Sequence, residues 1–207
     1  MRFICSIIFH IFSKIFSHNL THSISNNSAI FLDRDGTINE ELNFISKPEN
    51  LFLIPKSAEA ISEMRKMGFK IFVITNQSGI ARGYFELQDL ENINKKLIEL
   101  LYEKKTFVDK IYFCPHIDEN NCECRKPKIG MLKKAEREFG IDLKKSFVIG
   151  DRFVDINAGQ NANAISILVL TGYGDETRKI ANENNIQIEH IANDLYESLE
   201  IIKKIHE

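Results

Sequence analysis

The sequence predicts an α/β fold, a doubly wound parallel sheet covered by helices on both faces. From Ala29 onward, apolar runs of strand length alternate with longer amphipathic stretches, which is typical of such sheets. Polar motifs directly follow several of the apolar runs, at the strand ends where ligands bind in this class. The chain has 207 residues, of which 43% are hydrophobic, so we expect one well-packed domain over 29–207.

The alternation also places each element along the chain. The predicted strands are 29–33, 70–75, 110–113, 146–150 and 164–170, with a weaker one near 186–191. The predicted helices are about 56–67, 86–104, 129–139, 153–162, 175–184 and 194–205. Glycines stand where helices should begin or end, at Gly68, Gly130 and Gly140.

The first 28 residues differ from the rest, because they contain no acidic residue and only Arg2 and Lys14 as fixed charges. Apolar side chains recur there at helical spacing, at Ile4, Ile7, Ile8, Ile11, Phe12, Ile15 and Phe16. The segment is too short and too polar to span a membrane. We predict an N-terminal extension over 1–28, amphipathic or disordered. It is a dispensable or mis-started segment, a targeting sequence, or a membrane-surface anchor acting through residues 1–20.

Charge and cysteine usage narrow the class of protein. The formal net charge is −2 and the basic residues form no long run, so we expect no nucleic-acid partner. A local basic pocket would suffice for a small anionic substrate. Three of the four cysteines fall within residues 114–124, a spacing that favours a metal site over scattered disulfides. A reduced metal site predicts a cytoplasmic protein, and we expect a monomer.

Two carboxylates lie one residue apart in Asp33-Arg34-Asp35-Gly36-Thr37, directly after an apolar strand. Like charges this close are costly without a cation, and Mg²⁺ suits oxygen ligands in a site that also holds phosphate. The alternative is a turn whose aspartates only bond nearby amides. Polar residues follow four of the predicted strands and should meet at one edge of the sheet, namely Asp33, Thr75, Cys114 and Asp151.

Three thiols and an imidazole lie close together in a polar loop, at Cys114, His116, Cys122 and Cys124. They match the ligand set of a closed tetrahedral zinc site, so we predict a structural Zn²⁺, with reduced, uninvolved cysteines as the alternative. The loop leads into the basic cluster 125–128. That cluster is either a solvated helix start or part of the pocket, where the Arg125 fork would grip a second phosphate or a carboxylate.

Taken in order, the motifs resemble those of the haloacid-dehalogenase-like phosphatases, enzymes with a Rossmann-type fold. The segments that carry the resemblance are 33–37, 75–79, Lys126 and 150–155. The resemblance implies that Asp33 is a nucleophile that forms an aspartyl phosphate and that Asp35 is its acid/base partner. Thr75 and Lys126 would contact the oxygens of the transferring phosphoryl group.

The same resemblance implies the ligands of the magnesium ion. Asp33, Asp151 and the backbone carbonyl of Asp35 would hold Mg²⁺, with Asp155 in support. Residues Asn76, Gln77 and Ser78 would bind the substrate. No large cap domain fits after residue 37 or after residue 75, so small loops would recognise the rest of the substrate.

Residues 29 to about 172 closely resemble the D-glycero-D-manno-heptose 1,7-bisphosphate 7-phosphatases, through 33–39, 75–83, the cysteine loop and 125–127. This resemblance implies removal of the 7-phosphate from a sugar bisphosphate in nucleotide-heptose synthesis for lipopolysaccharide. The histidinol-phosphate phosphatases share these motifs and are the alternative. A catalytically silent, zinc-stiffened binding or regulatory protein is the alternative of another class.

Two predicted substrate contacts depart from the heptose-phosphatase pattern. The loop Glu41-Leu42-Asn43-Phe44 stands where an acidic residue, a glycine and a tyrosine are more usual, so Phe44 offers no hydroxyl. Arg152 stands where a lysine is common, which keeps the charge and changes the geometry. We expect Glu41, Phe44 and Arg152 to line the substrate pocket together with Arg125.

Overall fold

The computed structural model describes residues 27–206 and contains a six-stranded sheet flanked by helices. The strands are β1 (Ala29–Leu32), β2 (Lys70–Asn76), β3 (Lys110–Cys114), β4 (Phe147–Gly150), β5 (Ile165–Val169) and β6 (Ile191–Ala192). The helices are α1 (Ser57–Lys66), α2 (Leu87–Glu103), α3 (Gly130–Phe139), α4 (Phe153–Asn161), α5 (Gly174–Glu183) and α6 (Ser198–His206). The predicted α/β class is confirmed. Residues 1–26 lie outside the described residues, and so do the predictions made for the N-terminal extension there and for membrane contact through residues 1–20.

The strand order is β3-β2-β1-β4-β5-β6, and every neighbouring pair is parallel. The chain winds outward from β1 to β3 and then returns to the other side of β1, so β1 and β4 are adjacent. In doubly wound sheets this reversal opens a crevice at the carboxyl ends of the strands. Asp33 and Asp151, which follow β1 and β4, therefore lie side by side at that crevice.

Both faces of the sheet are buried. Ile30 and Leu32 of β1 belong to a core under α1, α2 and α6, whereas Ala29 and Phe31 belong to a second core under α3. Side chains alternate between the faces of a strand, so a strand that is buried on both faces reads as a continuous apolar run. The two cores make a rigid frame, and the polar residues that carry chemistry follow its strand ends.

The crossovers carry only loops and helices in the part of the chain that the structure describes. A loop with one short turn at Pro48–Asn50 separates β1 from α1, and a loop over 77–86 separates β2 from α2. The expectation that no large cap domain is inserted there is confirmed. Across residues 27–206, no helix is both long and apolar enough to cross a membrane.

The last strand and the last helix were placed wrongly. The strand predicted near 186–191 is reduced to the two residues of β6, and the helix predicted over 194–205 begins only at Ser198. The Asp194 carboxylate accepts the amide of Glu197 at 2.8 Å. Such a side-chain bond to the backbone forms a turn in place of the first helical residues, so α6 starts later.

Ser146 joins the amino ends of the two central strands. Its hydroxyl accepts the backbone N–H of Ala29 at 3.0 Å and donates to the carbonyl of Asp142 at 2.7 Å. Ser146 and Ala29 are fully buried, so water cannot replace this bond. The contact helps to fix the register of β1 against β4, and with it the relative positions of the residues that follow the two strands.

We expect Ser146→Ala to lower the free energy of unfolding by about 1–3 kcal/mol, because the amide of Ala29 would be buried without a partner. Urea denaturation measures this change. Ser57→Ala is a matched control, since the Ser57 hydroxyl is equally buried but has no hydrogen-bond partner. It should alter the free energy of unfolding by less than about 0.5 kcal/mol. Equal losses in the two variants would contradict the structural role of Ser146.

Candidate active site

A cleft opens at the carboxyl ends of β1, β2 and β4. Its walls are formed by Asp33, Asp35, Glu41, Asn43, Phe44, Thr75, Asn76, Gln77, Ser78, Arg125, Lys126, Arg152 and Val154. Every residue predicted from sequence to act in catalysis or to contact the substrate is in this set. The structure thus brings the separate sequence motifs together in one place, while the role of each residue stays a prediction.

Lys126 is a buried cation beside Asp33, with 1% of its surface exposed. Its Nζ lies 2.9 Å from Asp33 Oδ1 and 2.6 Å from Asp155 Oδ1, and it donates to the carbonyl of Ile74 at 2.7 Å. Burial by itself would lower the pKa of Lys126, but the charges of Asp155 and Asp33 outweigh it and raise the pKa above its usual range. Lys126 is therefore protonated and fixed beside Asp33.

Carboxylates crowd the same point, since oxygens of Asp33, Asp151 and Asp155 lie within 4.8 Å of one another. Burial raises the pKa of Asp33 to about 7, although Lys126 opposes the shift. Burial, followed by the charges of Asp33 and Asp155, raises the pKa of Asp151 to about 8. The single positive charge of Lys126 thus does not compensate all three carboxylates, and a divalent cation would supply the missing positive charge.

The oxygens of Asp151 show where such a cation would sit. Its Oδ2 accepts the backbone N–H of Tyr173 at 2.8 Å, whereas its buried Oδ1 has no hydrogen-bond partner. Unsatisfied buried oxygens are rare and call for a specific explanation. Asp155 differs, because its oxygens already contact Lys126 and the backbone N–H of Arg152. Asp33 and Asp151 are therefore the carboxylates best placed to hold a metal ion.

Two glycines enclose Asp151, namely Gly36 of the first motif and Gly172, which was not identified from the sequence. Gly36 and Gly172 have φ values of 80° and 56°, and a Cβ atom on either would lie 2.3 Å from Asp151 Oδ2. The Thr171 hydroxyl donates to the carbonyl of Gly36 at 2.6 Å and closes the contact. The only local signal for Gly172 was its position in a Thr-Gly-Tyr-Gly turn directly after a predicted strand.

Asp35 is held in one orientation by four hydrogen bonds. Arg34 donates Nε to Oδ1 at 3.1 Å and Nη2 to Oδ2 at 2.8 Å. Asn39 donates to Oδ1 and Gln77 to Oδ2, each at 2.9 Å. Burial would raise the pKa of Asp35, but the charge and hydrogen bonds of Arg34 lower it below its ordinary value. Arg34 is fully buried and also donates to Asn94, and neither residue was singled out from sequence.

The residues at the carboxyl end of β2 and directly after it support their neighbours. The Gln77 side chain donates to Thr75 Oγ1 at 2.9 Å, in addition to its bond with Asp35. The Asn76 amide accepts the backbone N–H of Lys126 at 3.0 Å and donates to its carbonyl at 3.1 Å. Ser78 is buried in the cleft wall. Asn76 and Gln77, which we predicted to bind substrate, thus also orient the candidate catalytic groups.

The cysteine loop brings together the four predicted zinc ligands, Cys114, His116, Cys122 and Cys124. Their ligand atoms lie within 4.8 Å of one another. The Sγ of Cys124 is 3.1 Å from that of Cys114, 3.4 Å from that of Cys122 and 3.4 Å from Nδ1 of His116. Thiolates around a tetrahedral zinc ion lie about 3.8 Å apart. Small outward shifts of the side chains would therefore accommodate the ion.

The outer wall of the cleft contains the residues predicted to recognise the rest of the substrate. The guanidinium of Arg125 donates to Asp118 at 2.6 Å and to the carbonyl of His116 at 3.2 Å, which ties it to the cysteine loop. Phe44 meets Tyr84 edge-on, with ring centroids 4.9 Å apart, and both rings are exposed. Tyr84 was not identified from sequence, since nothing local marks it as a neighbour of Phe44.

Comparisons with known proteins agree with this geometry. Residues 123–198 match the family model described as HAD-hydrolase-like. The D-glycero-beta-D-manno-heptose-1,7-bisphosphate 7-phosphatase of Helicobacter pylori (strain J99) is 43% identical over 149 residues, which cover 72% of this chain and 86% of the relative. The D-glycero-alpha-D-manno-heptose-1,7-bisphosphate 7-phosphatase of Campylobacter jejuni is 40% identical over 162 residues, which cover 76% and 92%.

A solved structure extends the match to the whole fold. The D,D-heptose 1,7-bisphosphate phosphatase from B. bronchiseptica, crystallised with magnesium and phosphate, has a TM-score of 0.79 and 31% sequence identity, and covers 86% of this chain and 99% of that one. Relatives at this identity span nearly their full lengths, and the motifs that they match meet in one cleft. The chain therefore belongs to the D-glycero-D-manno-heptose 1,7-bisphosphate 7-phosphatase family of HAD-like hydrolases.

Proposed function

We propose that this protein hydrolyses the 7-phosphate of D-glycero-D-manno-heptose 1,7-bisphosphate in nucleotide-heptose synthesis. The observation that carries the proposal is the pairing of Asp33 with the buried Lys126 beside the unsatisfied oxygen of Asp151. This arrangement offers a nucleophile, a fixed positive charge and a metal-binding oxygen within one small space. The relatives from H. pylori and C. jejuni are named for this reaction.

In the first step the Asp33 carboxylate attacks phosphorus, and the bond between phosphorus and the sugar oxygen breaks. Asp35 delivers a proton to that departing oxygen. In the second step water attacks the aspartyl phosphate, and Asp35 accepts a proton from it. The hydrogen bonds from Arg34, Asn39 and Gln77 stabilise the ionised Asp35 that the first step leaves. The proton that Asp35 takes from water in the second step returns it to the protonated form with which the next cycle begins. Lys126 and Thr75 contact the phosphoryl oxygens, where the charge of the transition state is spread.

The acidic site fits Mg²⁺. Asp33 and Asp151 would hold the ion through their carboxylates, together with the backbone carbonyl of Asp35, while Asp155 keeps Lys126 in place. When bound, the ion offsets the negative charge of carboxylates and phosphate. The related structure from B. bronchiseptica contains magnesium and phosphate, which supports the same assignment here.

The cysteine loop fits Zn²⁺ in a structural role. Three sulfurs and one imidazole nitrogen complete a tetrahedral shell and leave no position for substrate. The ion would hold the loop that carries Arg125 and Lys126 into the cleft. A reduced zinc site also supports our proposal that the protein works in the cytoplasm, as a monomer that acts on a small sugar bisphosphate.

Arg125 and Arg152 are the residues that we assign to the second phosphate of the substrate. Both line the cleft, and their side chains are more exposed than those of Asp33 and Lys126. Arg125 is held by Asp118, so its fork is oriented before the substrate arrives. Preorganised guanidinium groups bind phosphate with less loss of side-chain entropy than free ones.

A substrate panel tests the proposed function. Phosphate release should be measured with Mg²⁺ on both anomers of the heptose bisphosphate, because the relatives are named for different anomers, and on histidinol phosphate. We expect kcat/KM for one heptose anomer to exceed that for histidinol phosphate by at least about 100-fold. Asp33→Asn should lower kcat by more than about 1,000-fold with an unchanged fold. Faster release from histidinol phosphate would overturn the substrate assignment, and release from none of the three would favour a silent binding protein.

Gly172→Ala tests the magnesium site without removing a ligand. The new methyl group would collide with Asp151 Oδ2 and with Gly36, so we expect the Mg²⁺ concentration for half-maximal activity to rise by about 10- to 100-fold. Gly140→Ala is the matched control, since Gly140 also has a positive φ of 67° but has nothing within 4 Å of the added atom. It should destabilise the fold slightly and leave magnesium activation unchanged. An equal shift in the two variants would show that backbone strain alone causes the effect.

Metal analysis tests the zinc site. Protein purified under reducing, chelator-free conditions should contain about one zinc per chain, and Cys122→Ser should lose it and melt at a lower temperature, because structural zinc contributes to folding. Cys5→Ser is the control, since Cys5 lies outside the predicted ligand set and its loss should leave the zinc content unchanged. The absence of zinc in the unmodified protein would refute the assignment.

A further inference from the structure

We propose that Tyr173 is a positioning residue that sets the loop 41–44 at the mouth of the cleft and thereby tunes the affinity for the part of the substrate distant from the reacting phosphate. The proposal rests on the proposed phosphatase function and deepens it. Tyr173 lies outside every sequence motif that pointed to the site, and it follows β5 at the opposite end of the chain from the loop.

The loop 41–44 needs support from outside itself. It belongs to no helix or strand, and two consecutive residues, Asn43 and Phe44, have positive φ values of 49° and 60°. Left-handed backbone is unfavourable for residues other than glycine, most of all for a bulky one such as Phe44. Phe44 is also 46% exposed, so burial contributes little. Side-chain contacts must therefore hold this conformation.

Tyr173 supplies these contacts through both parts of its side chain. Its hydroxyl donates to Asn43 Oδ1 at 2.6 Å, and the backbone N–H of Asn43 donates to Glu41 Oε1 at 2.7 Å. The Tyr173 ring lies 3.7 Å from the guanidinium of Arg152. Nη2 of Arg152 is in turn 3.9 Å from Glu41 Oε2. The contacts form a closed ring that begins and ends at Tyr173, so a shift of any member is resisted by its neighbours on two sides.

Tyr173 is itself fixed to the catalytic end of the sheet. Its backbone N–H donates to Asp151 Oδ2 at 2.8 Å, and the preceding glycine packs against Gly36. The Thr171 hydroxyl adds a bond to the same segment. The position of the Tyr173 backbone is thus set by the candidate metal site, and its side chain transmits that position to the loop.

The Tyr173 side chain contacts the loop 41–44, whereas its backbone contacts Asp151. A change confined to the side chain should therefore alter one kinetic constant and not the other. Glu41 and Phe44 line the cleft and Phe44 is exposed, whereas Asp33 and Lys126 are buried. Loss of the Tyr173 hydroxyl should release the loop and leave the groups that act on phosphorus in place. Substrate affinity should fall, and the rate of the bound complex should not.

Tyr173→Phe tests this inference, because it removes only the hydroxyl and keeps the ring over Arg152 and the backbone bond to Asp151. We expect KM for the heptose bisphosphate to rise about fivefold with kcat changed less than about twofold, the effect of one lost hydrogen bond. KM for p-nitrophenyl phosphate, which lacks the distal sugar group, should stay unchanged. Asn43→Ala should match Tyr173→Phe, and the double variant should be no worse than either one.

Tyr196→Phe is the matched control, since Tyr196 is a partly exposed tyrosine that lines no part of the cleft, and it should change neither constant. Additive effects of Tyr173→Phe and Asn43→Ala, or an equal loss with p-nitrophenyl phosphate, would overturn the inference. Amide hydrogen exchange at 41–44 gives a readout without substrate and should be faster in Tyr173→Phe by about fivefold. Unchanged exchange would refute the inference even if the substrate proved to be another phosphate ester. Failure of the proposed function would show separately, as no release from heptose bisphosphate by the unmodified protein.

Discussion

The buried contact of Lys126 with Asp33 and Asp155 is the interaction on which the site depends. Removing one member of such a buried group leaves an uncompensated charge in a medium that solvates it poorly, which costs several kcal/mol. Lys126 is further fixed through its bonds to the carbonyl of Ile74 and to the Asn76 side chain. The loop that follows β3 is therefore held against the carboxyl ends of the strands. Asp33, the nucleophile candidate, has in Lys126 a partner whose position does not depend on substrate.

The same contact leaves the site with an excess of negative charge. Lys126 compensates part of the charge of Asp33 and Asp155, but Asp151 has only a backbone amide on one oxygen and nothing on the other. A cation would satisfy the unpaired oxygen of Asp151 and offset the excess negative charge, while Lys126 keeps its contacts with Asp33 and Asp155. Groups that are held in place before the substrate arrives need no reorganisation during the reaction, which is how fixed charges lower a barrier.

Two loops from different parts of the chain hold this arrangement. The cysteine loop anchors Arg125 through its contacts with Asp118 and the carbonyl of His116. The turn after β5 encloses Asp151 and extends through Tyr173 to Asn43 on the outer wall. The crossovers among the described residues carry no cap domain, so in the proposed function recognition of the distal part of the substrate would fall to these short loops. Their precision comes from attachment to the sheet, since they contain little secondary structure of their own.

Local sequence determined most of the framework and most of the site. The strands β1 to β5 and the helices α1 to α5 lie within one residue of their predicted bounds, because apolar runs and amphipathic periodicity are local signals. Every predicted pocket residue lines the cleft, because each follows the carboxyl end of a strand or the loop beyond it. The tertiary structure alone decided β6, whose two residues are too few to show a period, and the support of Asp35 by Arg34 and of Asp151 by Gly172 and Tyr173. Those contacts join residues from different elements or depend on the direction of a side chain, and neither property is written in the spacing of residues along the chain.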